Sequence, residues 1–286
     1  MVHRVGKHED AAKALVRLAR RDLEAAVREF RDAASREESV HRVRQRLKRV
    51  RTILKVLEPA FGDRAVLLRR NLGETARLLA TTRDADVVAA SARSLAATAG
   101  DAQHLGLDRV VSALDAEAAA AHRERTPVGE VNRRLAAAAA TVSGFDTSFD
   151  GDELIEEAVR RAYARGRKAM KRARQTLATP DLHEWRKSVK HLWFVLRLAR
   201  KRLPNRASRV APELERLGEV LGADNDQALL AEKLALSPTG DLSLMGQLSL
   251  IAKRRNALET EAFALGGQIY HRKPAAFVTR MAVRKA

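Results

Sequence analysis

The chain has 286 residues, 45% of them hydrophobic, and no cysteine. That is enough apolar material for a sizeable core, and it excludes disulfides, thiolate zinc sites and cysteine nucleophiles. Fifty-four Lys and Arg side chains face 36 Asp and Glu, a net charge of +18 with a pI of about 11.0.

The basic excess is +7 in residues 1–148 and +11 in residues 149–286, so it is not confined to a tail. Such a balance points to a polyanionic partner: nucleic acid, an anionic membrane surface or polymeric phosphate. The opening MVHRVGKHED lacks an apolar signal-peptide segment. No run reaches the roughly 20 apolar residues of a membrane span. A cytoplasmic, non-membrane protein is expected.

Alanine, leucine, arginine and glutamate dominate, and helical periodicity is nearly continuous, so the fold is predicted to be all-α. In chain order the helices fall at 9–34, 38–57, 63–98, 105–124 and 128–142. They continue at 152–177, 180–202, 207–235, 242–268 and 274–283. Ser143 to Asp152, SGFDTSFDGD, has turn chemistry and is the predicted linker.

The helix at 38–57 contains HRVRQRLKRVR, with six Arg or Lys and His41 in eleven residues. On a wheel of 100° per residue, Arg44, Lys48, Arg51 and Lys55 lie within about 80° of His41. Val43, Leu47, Val50, Leu54 and Leu57 form the opposite stripe and should face the core. Arg42, Arg46 and Arg49 fall elsewhere and are expected in solvent. The helix at 180–202 repeats the design. His183, Arg186, Lys190 and Arg197 share a face, Trp193 stands where Arg51 stood, and Trp185, Val189, Leu192 and Leu196 are apolar.

One offset, 142, joins His41 to His183, Arg44 to Arg186, Lys48 to Lys190 and Leu54 to Leu196. It also joins LLATTRDADVV (Leu78–Val88) to VLGADNDQALL (Val220–Leu230), placing Asp84 on Asp226. An internal repeat is therefore expected, one domain over 1–286 built from helical bundles at 1–148 and 149–286. The first helix of each half adds a basic stripe. Arg17, Arg21, Arg28 and Arg31 form one, and Arg160, Arg167, Lys171 and Arg174 the other. Four stripes converging on one groove would suit a polyvalent anion, because packed like charges repel until a ligand or carboxylates neutralise them. Two roles stay open for Arg44 and Arg186: phosphate contact, or ion pairing with Asp84 and Asp226. His41 and His183 are either phosphate donors or buried structural groups.

HxxRxxxKxxR (His41, Arg44, Lys48, Arg51), then RDADV (Arg83–Val87), resembles the CHAD family, the conserved histidine α-helical domain. LHEWRKSVKHLW, LGADND and the ending GGQIYHRKPAAF extend the resemblance over almost the whole chain. The resemblance implies antiparallel bundles related by a pseudo-twofold axis, with a basic groove or channel between them. It implies non-catalytic binding of inorganic polyphosphate (phosphate or sulfate serving as mimics) and, in bacteria, association with polyphosphate granules. By that resemblance His41, Arg44, Lys48, Arg51, His183, Arg186 and Lys190 are binding residues. Arg17, Arg21, Arg167 and Lys171 follow from the wheel alone. Trp193 departs from the family's arginine.

The ExExK motif of the CYTH triphosphatase that often accompanies this family is missing. The nearest match, Glu213-Leu214-Glu215-Arg216, lacks the lysine. No Walker A, GxGxxG, HExxH or nucleophile elbow occurs, so no enzyme, cofactor or metal is expected. Two alternatives stand beside polyphosphate binding: a nucleic-acid-binding protein, for which 4% aromatic residues offer few stacking platforms, and an enzyme acting on polyphosphate.

Overall fold

A computed structural model describes residues 4–31, 36–79, 81–98, 106–121, 127–202, 207–236 and 242–279. The helices are α1 (Ala11–Arg31), α2 (Arg36–Phe61), α3 (Asp63–Leu78), α4 (Thr81–Ala96), α5 (Leu107–Ala121) and α6 (Val128–Ser143). They continue as α7 (Gly151–Thr176), α8 (Thr179–Ala199), α9 (Ala207–Ala235), α10 (Leu242–Ile269) and α11 (Pro274–Thr279). No strand occurs among the described residues, and none of their helices is long and apolar enough to cross a membrane.

The apolar stripes explain the burial. Val43, Leu47, Val50, Leu54 and Leu57 of α2 are buried, as are Trp185, Val189, Leu192 and Leu196 of α8. These are the faces the spacing predicts. One element differs. The periodic run 63–98 is two helices, α3 and α4, parting after Leu78. No proline or glycine marks the break. A tertiary contact does: the Arg44 guanidinium donates to the carbonyl oxygens of Ala76 at 3.2 Å and Leu79 at 2.6 Å. Those oxygens would otherwise serve the next helical turn, and a charged donor satisfies them at the helix end instead. The offset of 142 maps 63–96 onto 205–238, where α9 runs unbroken over Ala207–Ala235.

Within the first half α1 packs on α2 and α6, α2 on α3, and α4 on α5. In the second half α7 packs on α8 and α11, α8 on α9, and α9 on α10. Contacts of α1 with α7, of α2 with α7 and α8, and of α4 with α9 join the halves. Buried apolar residues do not sort by half. The main core draws on α1, α2 and α3 and on every helix from α6 to α11. A second joins Ala89, Ala92 and Leu95 of α4 and Leu114 of α5 to Leu230 and Leu234 of α9 and Ile251 of α10.

The segment predicted as a linker is anchored. Phe145 stacks on Phe61 at 4.0 Å, and Phe149 meets the same ring edge-on at 5.6 Å. Asp150 then caps α7, accepting from the N–H groups of Asp152 and Glu153. At the other end, the Tyr163 hydroxyl donates to the Ile269 carbonyl oxygen at 3.0 Å, and its ring stacks on Phe277 at 3.9 Å. This fastens α11 to α7.

Candidate functional site

The basic run of α2 divides into two kinds of side chain, and not along the expected line. Arg46 and Arg49 are not in solvent. Arg46 donates to Glu29 through Nε (2.8 Å) and Nη2 (2.5 Å), and to Asp22 through Nη1 (3.0 Å). Arg49 holds Asp22 through Nε at 2.8 Å and Nη2 at 3.2 Å. Asp22 is only 3% exposed, and the two guanidinium groups that face it supply the pairing a buried acid requires. The Arg46 bond holds the Glu29 carboxyl below the usual carboxylate range, against the opposing effect of burial. The reason is geometric. The wheel of α2 cannot show that α1 covers this flank, with a carboxylate inside its own apolar stripe. Arg42 is exposed and donates to Ser39 at 3.2 Å.

The predicted binding stripe lies along two helix seams. Against α3, Arg44 takes the carbonyl oxygens at the helix end, and Arg51 passes over Gly73. Against α9, Lys190 passes over Gly218 and Arg186 over Gly222. A β-carbon at Gly218 would stand 3.0 Å from Lys190 Cε, and one at Gly222 3.2 Å from an Arg186 Nη. Glycine thus lets the basic stems lie flat on α9. His41 and Lys48 are exposed, and the His41 ring meets Gln45 Nε2 at 2.7 Å. Trp193 receives the Arg197 guanidinium at 4.5 Å and the Lys190 ammonium at 5.9 Å. The aromatic that replaces the stripe's arginine is therefore a cation platform.

Burial, then Arg186, pushes the Lys190 ammonium down, while Glu219 and Glu215 pull it back. Arg186 shares a pocket of about 460 Å³ with Asp226 and Glu232. On the α2 side, burial and the like charges of Arg69 and Arg77 push the Arg51 guanidinium down. The Nε atoms of Arg51 and Arg69 are buried with no acceptor among the described residues. Arg69 has Glu58 at 3.6 Å, and Arg161 of α7 has Glu157 at 3.4 Å.

A residue that sequence reasoning missed continues this cluster. His191 of α8 has Arg165, Arg69 and Arg161 as its charged neighbours. Burial first, and then these guanidinium groups, push its imidazole down to about 4, so it is neutral at pH 7. Arg77 and Arg69 of α3, Arg51 of α2, His191 of α8, and Arg161 and Arg165 of α7 thus form a cationic row bridging both halves. The signal in the sequence was faint: a second histidine eight residues after His183, on a different face.

His183 lies apart from this row, in the pocket. Its Nδ1 meets Asn225 Oδ1 at 2.6 Å, and burial, only partly offset by that bond, pushes the ring down. Val87 and Val88 of α4 close the pocket opposite Arg186, Asn225 and Asp226. The first half's RDADV thus abuts the second half's LGADND. The side chains of Arg83 and Asp84 lie outside the described residues. Asp224 of the same motif is 1% exposed and accepts from Arg255 of α10 at 2.8 Å.

The wheel-derived residues go to other partners. Arg17 donates to Glu9 at 2.9 Å, and Arg167 to the Tyr270 carbonyl oxygen at 3.2 Å. Arg21 and Lys171 are exposed on α1 and α7. Among the described residues no three His, Asp or Glu side chains gather as metal ligands would.

A family model described as the CHAD domain matches residues 10–235. The fold is similar to the crystal structure of the CHAD domain from the plant Ricinus communis. There the TM-score is 0.63 at 16% identity, over 95% of this chain and 93% of that one. It is also similar to PptA from Streptomyces chartreusis, with a TM-score of 0.60 at 15% identity, over 92% of this chain and 99% of that one. No curated protein matches the sequence.

Proposed function

This chain belongs to the CHAD domain family, and from that premise we propose that it binds inorganic polyphosphate without turning it over. The contacts proposed are the cationic row of Arg51, Arg69, Arg77, Arg161 and Arg165, flanked by His41, Arg44 and Lys48 and by His183, Arg186 and Lys190. One observation carries the reading. Five guanidinium groups from three helices of both halves gather, with Glu58 at Arg69 and Glu157 at Arg161 as their ion-pair partners among the described residues, and the Nε donors of Arg51 and Arg69 are buried with no acceptor among those residues. Arg77 and Arg165 are exposed, but the partly buried Arg51, Arg69 and Arg161 are costly to hold together until counter-charge arrives. A linear polyanion supplies it at repeated spacing, and Arg meets phosphate oxygens with paired, planar donors.

The family supports the same reading, since CHAD domains are associated with polyphosphate and generally act as binding modules. Calorimetry against polyphosphates of defined length, with duplex DNA at equal phosphate concentration as control, tests the proposal. Affinity should rise with chain length, and DNA should bind more weakly. Tighter binding of DNA would favour the nucleic-acid alternative. Phosphate released from polyphosphate in the presence of Mg²⁺ would favour an enzyme. Association with polyphosphate granules follows from the same interaction. It is read by imaging a fluorescent fusion in cells that make polyphosphate and in cells that do not.

A further inference from the structure

The basic residues of α7 are divided between two seams. On the wheel, Arg161 and Arg165 of the cationic row lie about 130° from the mean direction of Arg167, Lys171 and Arg174. The first flank faces α8, where Arg172, on the same side, donates to Asp181 at 2.7 Å. The second flank meets the end of α10 and the start of α11. There Arg167 Nε donates to the Tyr270 carbonyl oxygen at 3.2 Å, and Arg174 Nη2 to that of Phe263 at 3.3 Å. The Arg174 guanidinium also lies over the Phe263 ring, 5.3 Å from its centroid. The Tyr163 hydroxyl accepts from the Arg272 N–H at 3.3 Å, which fastens the turn carrying Arg272 and Lys273 beside α7. Arg167, Lys171, Arg174 and Lys273 are exposed, and Arg272 is half-buried.

These five cations are uncompensated. None has an ion-pair partner among the described residues. The acids of α7 all stand in its first two turns, and those of α10, Glu259 and Glu261, pair with Arg255 and Arg216. Arg167 and Arg174 each spend one N–H on a carbonyl oxygen. That contact holds the guanidinium in place and leaves its other donors for an anion, and donors fixed in advance lose little freedom on binding.

We propose that the seam of α7 with α10 and α11 is a second polyphosphate-binding surface, so that one molecule holds two chains at once and cross-links them. The inference rests on the polyphosphate reading above. Arginine gives phosphate oxygens paired donors, and five like charges with no carboxylate among them suit a polyanion better than a single phosphate. A base would find no platform. Among the described residues of the seam no aromatic is exposed: Phe263 is half-buried against Arg174, and Tyr270 and Phe277 are buried. Exposed contacts are screened by salt, so this surface binds more weakly than the row.

Calorimetry with a short polyphosphate of defined length tests the inference. Wild type should take up two chains per molecule, one tightly and one weakly. Lys171→Glu/Lys273→Glu reverses two exposed charges that hold nothing in the fold. It should lose the weak phase and keep the tight one within about twofold. Lys13→Glu/Lys253→Glu changes the net charge equally at exposed positions on α1 and α10 and should retain both phases. Arg51→Ala/Arg69→Ala should weaken the tight phase alone. With long chains, light scattering should show large assemblies for wild type and none for Lys171→Glu/Lys273→Glu. A helical circular-dichroism spectrum confirms that each variant is folded. One chain per molecule of wild type, two chains still held by Lys171→Glu/Lys273→Glu, or equal loss of the weak phase in Lys13→Glu/Lys253→Glu would overturn the inference and leave the polyphosphate reading standing. So would a weak phase that duplex DNA fills in preference to polyphosphate. No polyphosphate binding by wild type would overturn both.

Discussion

Two residues two positions apart in α2, Arg46 and Lys48, should respond oppositely to truncation. Arg46→Ala removes a paired contact to Glu29 (2.8 and 2.5 Å) and a third bond to Asp22 at 3.0 Å. Breaking a fully buried ion pair costs about 3–5 kcal/mol. Here the Arg46 and Glu29 side chains are 23% and 24% exposed, and Asp22 keeps Arg49, so about 2–3 kcal/mol is expected. In a chain of this size that lowers the melting temperature by roughly 5–10 °C. Lys48→Ala, at an exposed position, should stay within about 0.5 kcal/mol of wild type in stability. It should weaken polyphosphate binding, whereas Arg46→Ala, assayed well below its melting point, should not.

Acid adds a signature. The folded Glu29 pKa is depressed, so its contribution is present above the unfolded value and is lost as pH falls through the folded one. The stability gap between wild type and Arg46→Ala should therefore narrow below about pH 4.5. Urea titrations at pH 7 and pH 3.5 measure both quantities. Equal stability of Arg46→Ala and wild type at pH 7, or a gap that widens in acid, would refute the assignment.

Other outcomes follow from the same geometry. Arg44→Ala removes the donor at the Ala76 and Leu79 carbonyl oxygens, so hydrogen exchange at the end of α3 should accelerate and stability fall by about 2 kcal/mol. Tyr163→Phe loses the hydroxyl that holds the Ile269 carbonyl, which should cost about 1–2 kcal/mol and speed proteolysis after α10. Salt dependence reports the number of contacts. With the five guanidinium groups of the row and Arg44, Lys48, Arg186 and Lys190 engaged, log Kd should rise with log salt at a slope of about 6, and the slope should fall by about 1.4 in the Arg51→Ala/Arg69→Ala double variant.

Much of the fold was legible in the sequence because helices carry their own periodicity. The buried faces of α2 and α8 are the stripes the wheel gives. Pro127, Pro180 and Pro274 each stand within two residues of a helix start, where a missing N–H costs nothing. The break between α3 and α4 was not legible. Its cause is a guanidinium arriving from more than thirty residues away. The same limit explains the errors in the site. A wheel separates the faces of one helix but does not tell which face a second helix covers. Arg46 and Arg49 therefore read as solvated until α1 was in place. One clue was present: Asp22 stands between Leu15, Leu18 and Ala26 in the α1 stripe, and an acid at such a position announces a buried pair. His191 was hidden for a related reason. Its field comes from Arg69 of α3 and Arg161 and Arg165 of α7, which only packing brings to α8.

The most direct measurement is a calorimetric titration of long-chain polyphosphate into wild type, Arg51→Ala/Arg69→Ala and Arg216→Ala at physiological salt. Arg216 is an exposed cation paired with Glu261 at 2.8 Å, so its loss reports charge alone. Two charge-assisted phosphate contacts are worth about 3 kcal/mol together, roughly a hundredfold in Kd. The account predicts that loss for the double variant and a change within twofold for Arg216→Ala. Equal losses in the two, or none in the double variant, would contradict it.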